Sequence, residues 1–450
     1  MGANLYKHFG GIVIKKTITS FKKVNYKLFT ALILLGLIPT IYTTFRIFLI
    51  GQLPGDWGFS IASQLSWVNL LYEILQEAII LPLFYFIGMA IKNKLELENK
   101  FRTGLLFTAA IYGTLSLIII IFAVPMIKFM AQDVTLINET ASYIRLETIA
   151  AIFMTLVKFS IVTLVVINKD KYLYFVLGLQ MIITILVDVF LVSNLNFSLQ
   201  LGVNGIAISN IIVNSLLMVL VYFILKKEDI NLFSKEKLSF TWIKDLSKIG
   251  GISGLESFIR NLAFMLMVIR MVNVVGEQGT FWVANNFIWG WLLLPVLQLG
   301  ELVKRDCGES ESAIKEKTLG YFGITVIIVT VWFASIPLWK PFLRDLLQFE
   351  NYQDVYQIAL VSIGFYVLFA FNNVIDSIFY GIGKTKYMLF QSVVINTAFY
   401  GGLFILYITG IYQPTLLLIA IMFAAGIAFD SLLTYFMFIW MLRRKKIKLI

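Results

Sequence analysis

Acidic and basic side chains occur inside long apolar runs of this sequence, where a charge normally needs a partner. A charged side chain in membrane hydrocarbon costs about 2.5 kcal/mol or more, so it usually faces another polar group or a water-filled cavity. These residues are therefore the first candidates for function. They are Arg46, Glu73, Glu77, Arg145, Glu147, Lys158 and Asp188 in the first half, and Glu256, Arg260, Arg270, Asp376 and Asp430 in the second.

Glu73 and Glu77 lie four residues apart, which places both carboxylates on one face of a helix. Two carboxylates at this spacing do not both ionise readily in a low dielectric, so one of them can hold a proton. A structural interpretation stays open beside this one. The two acids can instead line a water-filled vestibule or pair with Lys158 or Arg145.

The second half combines acids with neutral oxygen-bearing side chains, which is the ligand set for Na⁺. Glu256 and Asp376 are the two acids of a predicted cation-coupling site. Arg260 follows Glu256 by four residues, so this pair can also be a structural ion pair. A proton would use the same carboxylates as Na⁺, so the sequence leaves the ion open. The amides available to the site are Asn285, Asn286, Asn372 and Asn373.

Arg46, Arg145 and Lys158 give the apolar runs of the first half a cationic character. Either they are neutralised by nearby acids, or they contact an anionic substrate. Arg46 and Lys158, with Arg260 from the second half, are therefore candidates for the substrate cleft, together with the four asparagines. The secondary candidates for binding a cation or a proton are Asp188, Glu73, Glu77 and Glu147.

Composition indicates which elements position these residues. Of 450 residues, 59% are hydrophobic and 14% are charged, and the mean hydropathy is +0.85, far outside the range of soluble proteins. A single cysteine, Cys307, and a single histidine, His8, exclude a Cys-based metal cage and a His cluster. We expect no cofactor beyond a coupling ion, Na⁺ or H⁺.

Twelve apolar runs are long enough to cross a bilayer. The Lys and Arg residues concentrate in alternate connections and at both ends, which predicts that both termini are cytoplasmic in a cell membrane. This distribution also accounts for the net charge of +11 without nucleic acid. The runs cover approximately 27–50, 62–91, 103–130, 141–167, 172–194, 203–226, 248–275, 280–303, 317–339, 355–382, 385–409 and 414–442.

An internal repeat relates the two halves of the chain. VINKDKYLYF at Val166 to Phe175 reappears as GIGKTKYMLF at Gly381 to Phe390, at a distance close to half the chain. Six spans in each half make the repeat parallel. The predicted parts are a basic N-terminus (1–26), an N-lobe (27–226), a linker (227–247), a C-lobe (248–442) and a basic tail (443–450).

These features resemble the multidrug and toxic compound extrusion (MATE) family of the MOP flippase superfamily. The resemblance is based on YGIGKTK after the tenth span, INKDKY after the fourth, LVDVFLV and LGVNGIAIS in the fifth and sixth, and an acid in the seventh. It implies cation-coupled efflux by alternating access. Glu256, Asp376 and Asp188 are similar to acids of the family. Members often carry an aspartate in the first helix, where this chain has only threonines near Pro39.

The predicted fold is therefore an all-α membrane protein with twelve helices in two parallel six-helix lobes around a central cleft. We expect an antiporter of amphipathic cations, working as a monomer among membrane lipids. The alternative on the same fold is a flippase for an anionic lipid-linked oligosaccharide. A major facilitator would need a Gly/Asp/Arg signature in its second connection, which is missing. An enzyme or receptor is disfavoured because neither a catalytic constellation nor an external domain is evident.

Overall fold

The computed structural model of the chain describes residues 16–53, 57–169, 171–234 and 236–447, except for the side chain of Phe84. Within these ranges the regular elements are all helices. Part of the predicted basic N-terminus, residues 1–15 with His8, lies outside the described residues, as do 448–450 of the basic tail. The described remainder of the N-terminal segment includes a short helix over 16–22.

The described residues contain eleven helices that are long and apolar enough to cross a membrane, and one bent pair that makes a twelfth span. The prediction of an all-helical, multi-pass membrane protein is confirmed. The spans are α1 (Tyr26–Gly51), α2 (Trp57–Ala90), α3 (Lys94–Phe129), α4 (Val134–Val166), α5 (Lys171–Val192), α6 (Gly202–Lys227), α7 (Ile243–Val274), α8 (Gln278–Leu292 and Leu294–Glu309), α9 (Ser312–Leu346), α10 (Tyr352–Gly381), α11 (Thr385–Ile408) and α12 (Leu416–Arg444).

The eighth span differs from the single run that the sequence predicts at 280–303. Its two segments are bent by 52°, after a π-helical turn over Phe287–Leu292. Pro295, which lies in the first turn of the second segment, has no amide hydrogen for the helical ladder. The bend therefore follows from local backbone chemistry, which a hydropathy pattern does not report.

One compact unit comprises Ile41–Trp282 and Leu347–Glu350. α4 is its central helix and packs along α3 and α6. α7 packs against α2 at the π-helical turn Gln76–Ile80. Gly250 allows this approach because the carbonyl of Ala78 occupies the place where a Cβ would stand. The loop before α7 is tied to α3, since the Trp242 indole donates to Thr103 Oγ1 at 2.9 Å.

The second unit comprises the described residues up to Thr40, Val283–Leu346, and the chain from Asn351 onward. α10 is central here and packs against α12, the second segment of α8, and α9. The N-terminal helix contacts α9, where the amide of Gly320 donates to Ser20 Oγ at 2.7 Å. The boundaries of these units differ from those of the predicted lobes, because α7, a helix of the predicted C-lobe, packs against α2 of the predicted N-lobe. The lobe boundaries at 27–226 and 248–442 therefore stay a prediction from the repeat.

Candidate functional site

Asp376 on α10 and Asp430 on α12 form a pair around a single amide, that of Asn372. Asn372 Nδ2 donates to Asp376 Oδ2 at 2.8 Å and to Asp430 Oδ2 at 3.4 Å. Thr434 adds a hydroxyl that donates to Asp376 Oδ1 at 3.4 Å. Four-residue spacing puts Asn372 and Asp376 on one face of α10, and Asp430 and Thr434 on one face of α12. We call these four residues the carboxylate pair site.

The carboxylate pair site contains an oxygen that lacks a partner. Asn372 is fully buried, and its Oδ1 accepts no hydrogen bond from any described residue. A buried acceptor in this state calls for an explanation, because leaving it unpaired costs about 1–3 kcal/mol. Two carboxylates and two neutral oxygens are suitable ligands for a hard cation. A proton shared by the carboxylates would relieve their repulsion in the same place.

Metal clusters of a different kind are not found in the described ranges. No group of three or more His, Cys, Asp or Glu side chains is placed to hold a metal ion there. Any cation at the carboxylate pair site would therefore depend on Asn372 and Thr434 for its neutral ligands.

Glu256 on α7 belongs to an ion network with α2. Arg260 donates to Glu256 Oε1 at 2.8 Å and to Glu73 Oε1 at 2.9 Å, so a single guanidinium bridges two carboxylates. Glu77 is close enough to interact electrostatically with Glu256 and with Lys158. The structural ion pair that the sequence left open for Glu256 and Arg260 is thus present. Glu256 and Asp376 fall in different compact units.

Lys158 and Arg145, the two partners considered for Glu73 and Glu77, make other hydrogen bonds. Lys158 Nζ donates to Gln76 Oε1 at 2.6 Å, beside the two acids on α2. Arg145 Nε donates to the carbonyl of Ile120 at 3.2 Å. The closest cationic partner of Glu73 is therefore Arg260, which sequence spacing did not indicate because it lies on a distant span.

Arg46 on α1 pairs with Asp188 on α5 inside the membrane-spanning region. Arg46 Nε donates to Asp188 Oδ2 at 2.7 Å and Nη2 donates to Oδ1 at 3.2 Å, which makes a bidentate pair. Asp188 is fully buried and the Arg46 side chain is 12% exposed. Both oxygens of Asp188 are thus engaged by a cation that belongs to the chain.

Glu147 on α4 receives the amide of Asn210 on α6. Asn210 Nδ2 lies 2.9 Å from each oxygen of Glu147, and Glu147 is buried. Arg46 also attracts Glu147 electrostatically. The first-half acids named as secondary cation candidates therefore lie beside built-in cations or amides.

The remaining candidate amides have separate places. Asn373 Nδ2 donates to the carbonyl of Val296 at 2.8 Å, which ties α10 to the second segment of α8. Asn285 and Asn286 lie at the end of the first α-helical stretch of α8, before its π-helical turn, and both are partly buried. Of the four predicted asparagines, Asn372 is the one in contact with both Asp376 and Asp430.

A network of neutral amide and hydroxyl side chains lies where α2, α4 and α8 begin and α7 ends. Gln64 and Asn273 exchange two amide hydrogen bonds, at 2.9 and 3.0 Å. Gln278 donates to Gln132 at 2.9 Å, and Gln132 donates to Thr140 at 3.1 Å. All five residues are buried. We call this the amide network; it was missed in the sequence because its members are neutral and lie on five separate segments.

The repeated motif after α4 makes a surface contact. Glu228, which follows α6, accepts from the Tyr172 hydroxyl at 2.6 Å and pairs with Lys169 at 2.7 Å. The hydrogen bond from Lys169, followed by that from Tyr172, holds the pKa of Glu228 below its usual value. Lys169 and Tyr172 of INKDKY thus connect the α4–α5 turn to the end of α6.

Comparison with known proteins defines the fold. No protein-family model matches the chain, and no curated protein matches its sequence. Among solved structures, an inward-facing multidrug resistance MATE family transporter of the MOP superfamily has a TM-score of 0.74 and 17% identity, over 96% of this chain and 98% of that one. The MATE transporter VcmN of Vibrio cholerae, solved as a point mutant, has a TM-score of 0.71 and 13% identity, with 96% and 98% coverage.

A third structure with this fold is a MOP superfamily transporter from Pyrococcus furiosus. Its TM-score is 0.65 and its identity 15%, over 95% of this chain and 98% of that one. The chain therefore has, over nearly its whole length, the fold of the MATE transporters of the MOP superfamily. The fold expected from the resemblance in the sequence is confirmed.

Proposed function

We propose that the chain is a secondary active exporter, which exchanges Na⁺ or H⁺ for amphipathic, cationic organic compounds by alternating access. The carboxylate pair site carries this proposal, since two acids share one amide inside membrane-spanning helices. In this proposal the protein works as a monomer in the cell membrane, with both termini cytoplasmic. It needs no cofactor other than the coupling ion.

Coupling requires only that the ion and the substrate favour different conformations. A cation that enters between Asp376 and Asp430 would cancel their repulsion. The Asn372 amide, whose Nδ2 faces both carboxylates, would then rotate to present its unpaired Oδ1 to the ion. The helices α10 and α12 would then be held together by the ion, and removal of the ion would favour their separation. The change of packing between these two helices is the step by which the gradient would act.

Glu256 would contribute to coupling in a different way. Its negative charge is balanced by Arg260, which also holds Glu73, so loss of the Glu256 charge would release Arg260 toward Glu73. Charge at Glu256 therefore sets which partner the arginine prefers. Asp376 is the more direct ligand in this proposal, because its hydrogen bonds from Asn372 and Thr434 come from neutral groups.

The partners of the three cations predicted for the substrate cleft support an organic-cation substrate over an anionic lipid-linked sugar. Arg46 is engaged by Asp188, Arg260 by two glutamates, and Lys158 lies beside Gln76, Glu73 and Glu77. A flippase for an anionic substrate would use basic side chains that internal acids do not neutralise. The Pyrococcus furiosus transporter is described as having a binding pocket of reversed polarity and a different function, so charge is a suitable criterion within this fold.

The test is dye flux in proteoliposomes under an imposed Na⁺ gradient or an imposed H⁺ gradient, applied separately. We expect one gradient to drive export of a fluorescent cationic dye. Asp376→Asn and Asp430→Asn should each lower that flux by at least about tenfold, the effect of a coupling energy near 1.4 kcal/mol. Glu256→Gln should also lower the flux.

Asp354→Asn provides the matched control, because it makes the same change at an exposed position on the same helix. It should transport the dye like the unmodified protein. The proposal would be contradicted by a dye flux that is independent of both gradients, or by an undiminished flux in Asp376→Asn and Asp430→Asn. Transport of an anionic lipid-linked sugar without dye flux would establish the flippase instead.

A further inference from the structure

An apolar groove of about 380 Å³ runs between α8 and α9, and its lining residues are all uncharged. Its lining residues belong to one compact unit and to membrane-spanning segments. We call it the aromatic groove. Its largest side chains are Phe287, Trp291, Trp332, Trp339 and Phe342.

The groove lies at the bend in α8. The break between the two segments of α8, which are bent by 52°, is flanked by lining residues of the groove: Phe287, Trp291, Leu292 and Pro295. The Trp332 indole donates to the carbonyl of Leu292, at the bend, at 2.7 Å. The Trp332 side chain therefore connects α9 to the bend in α8, and the groove belongs to the packing of these two helices.

The polar atoms of the groove bond to one another. The Trp339 indole donates to Ser335 Oγ at 2.9 Å, and Ser335 Oγ donates to the carbonyl of Trp332 at 2.8 Å. Trp332 and Trp339 are each 3% exposed and form the floor, whereas Val331 and Leu338 on the walls are 58% and 67% exposed. A surface of this kind binds hydrocarbon, because a polar ligand would find its hydrogen-bonding partners already taken.

A cation stands at one end of the groove. Lys340 lies between Trp339 and Phe342 in sequence, and its ammonium is 4.6 Å from the centre of the Tyr356 ring. That ring lies 6.5 Å from the Trp339 ring, so Tyr356 links the lysine to the groove floor. The neighbouring Arg344 is committed to Asp345, with contacts of 2.7 and 3.0 Å.

We propose that the aromatic groove binds one acyl chain of an anionic phospholipid, whose phosphate contacts Lys340. Hydrocarbon surrounds these spans, and an acyl chain in the groove replaces dispersion contacts that an unfilled groove would lose. An anionic headgroup is favoured at this end because its net negative charge attracts the Lys340 ammonium, whereas a zwitterionic headgroup would also bring a positive charge close to it. The inference uses the groove, Lys340 and the membrane location of these spans. It does not depend on which ion or substrate the protein moves.

The test is photo-crosslinking of the full chain in vesicles that contain a small fraction of a phosphatidylglycerol with a diazirine in its acyl chain. Crosslinked peptides are counted by mass spectrometry, with the same acyl chain on phosphatidylcholine for comparison. The reference surface is the exposed face of α3 with Ile118 and Ile121, which are 46% and 58% exposed. We expect the groove peptides to exceed the reference by about fivefold with phosphatidylglycerol, the effect of one lysine on an anionic lipid.

Three variants make the outcome specific. Lys340→Gln should reduce the phosphatidylglycerol yield in the groove to the phosphatidylcholine level, whereas Arg344→Gln, a loss of charge at the same end, should not. Val331→Trp should lower the yield for both lipids, because the new ring fills the groove. Equal yields in the groove and on α3, or an equal effect of Arg344→Gln, would each overturn the proposal.

Discussion

The buried pair of Arg46 and Asp188 allows a quantitative prediction about stability. Replacement of Arg46 by Met leaves the fully buried carboxylate of Asp188 without its cation. Breaking a buried pair by removing one partner costs about 3–5 kcal/mol. In a unit of this size each kcal/mol lowers the unfolding temperature by about 2–4 °C, so Arg46→Met should lower it by about 6–20 °C.

The two single variants should not be equivalent, because Glu147 lies nearby. Glu147 attracts Arg46 and repels Asp188. Arg46→Met therefore leaves two acids in mutual repulsion, whereas Asp188→Val leaves the arginine with one acid. We expect Asp188→Val to be destabilising by a smaller amount. The double variant should recover most of the loss, since apolar pairs often replace buried ion pairs at little cost.

A buried thiol placed in the same compact unit supplies the assay. Cys307 lies in the other unit, so it is replaced by Ala, and a cysteine is introduced at Ala141, which is 2% exposed on α4. In this background a thiol-reactive fluorogenic dye should label the new cysteine only as that unit unfolds. The apparent unfolding temperature is then measured for the unmodified protein, the two single variants and the double variant in one detergent. The reasoning would be refuted if the double variant lost as much stability as the two single variants together, or if Arg46→Met changed the temperature by less than about 2 °C.

Three further predictions use the same unfolding assay. Gly250→Ala should be strongly destabilising because the added Cβ meets the backbone carbonyl of Ala78. The control Gly251→Ala should change the unfolding temperature little, because the space around Gly251 is open. Equal effects of the two variants would contradict the packing described for α7. Gln64→Leu or Asn273→Leu should cost about 1–3 kcal/mol, since each removes both amide hydrogen bonds of the buried Gln64–Asn273 pair, and the double variant should cost less than their sum. The interactions that lower the pKa of Glu228 stabilise the fold at pH values above its unfolded-state pKa, which is near 4.5, and this contribution is lost as the pH falls through the folded-state pKa. Glu228→Gln should therefore make the unfolding temperature less sensitive to acid. An unchanged pH profile of the unfolding temperature would contradict this prediction.

Much of the architecture was readable from the sequence because the solvent is a bilayer. Spans of about 20 apolar residues must form helices in hydrocarbon, since every backbone polar group has to be satisfied within its own segment. The twelve runs could therefore be placed, closely for α12, predicted at 414–442 and found at Leu416–Arg444, and less closely for α3, predicted at 103–130 and found at Lys94–Phe129. The bend in α8 could not be placed in this way, because hydropathy averages over the backbone at Pro295.

The sequence also determined which side chains are candidates for chemistry, since the energetic cost of a charge in hydrocarbon makes each one conspicuous. Only the tertiary structure decided their partners. Arg260 reaches Glu73 across 187 residues, and Asn372 connects Asp376 with Asp430 on another helix. Spacing reports neighbours along one helix, whereas contacts between helices depend on their rotation and close approach. For that reason the sequence named the charged residues of this protein, and the packing of its helices determined which carboxylates share a site.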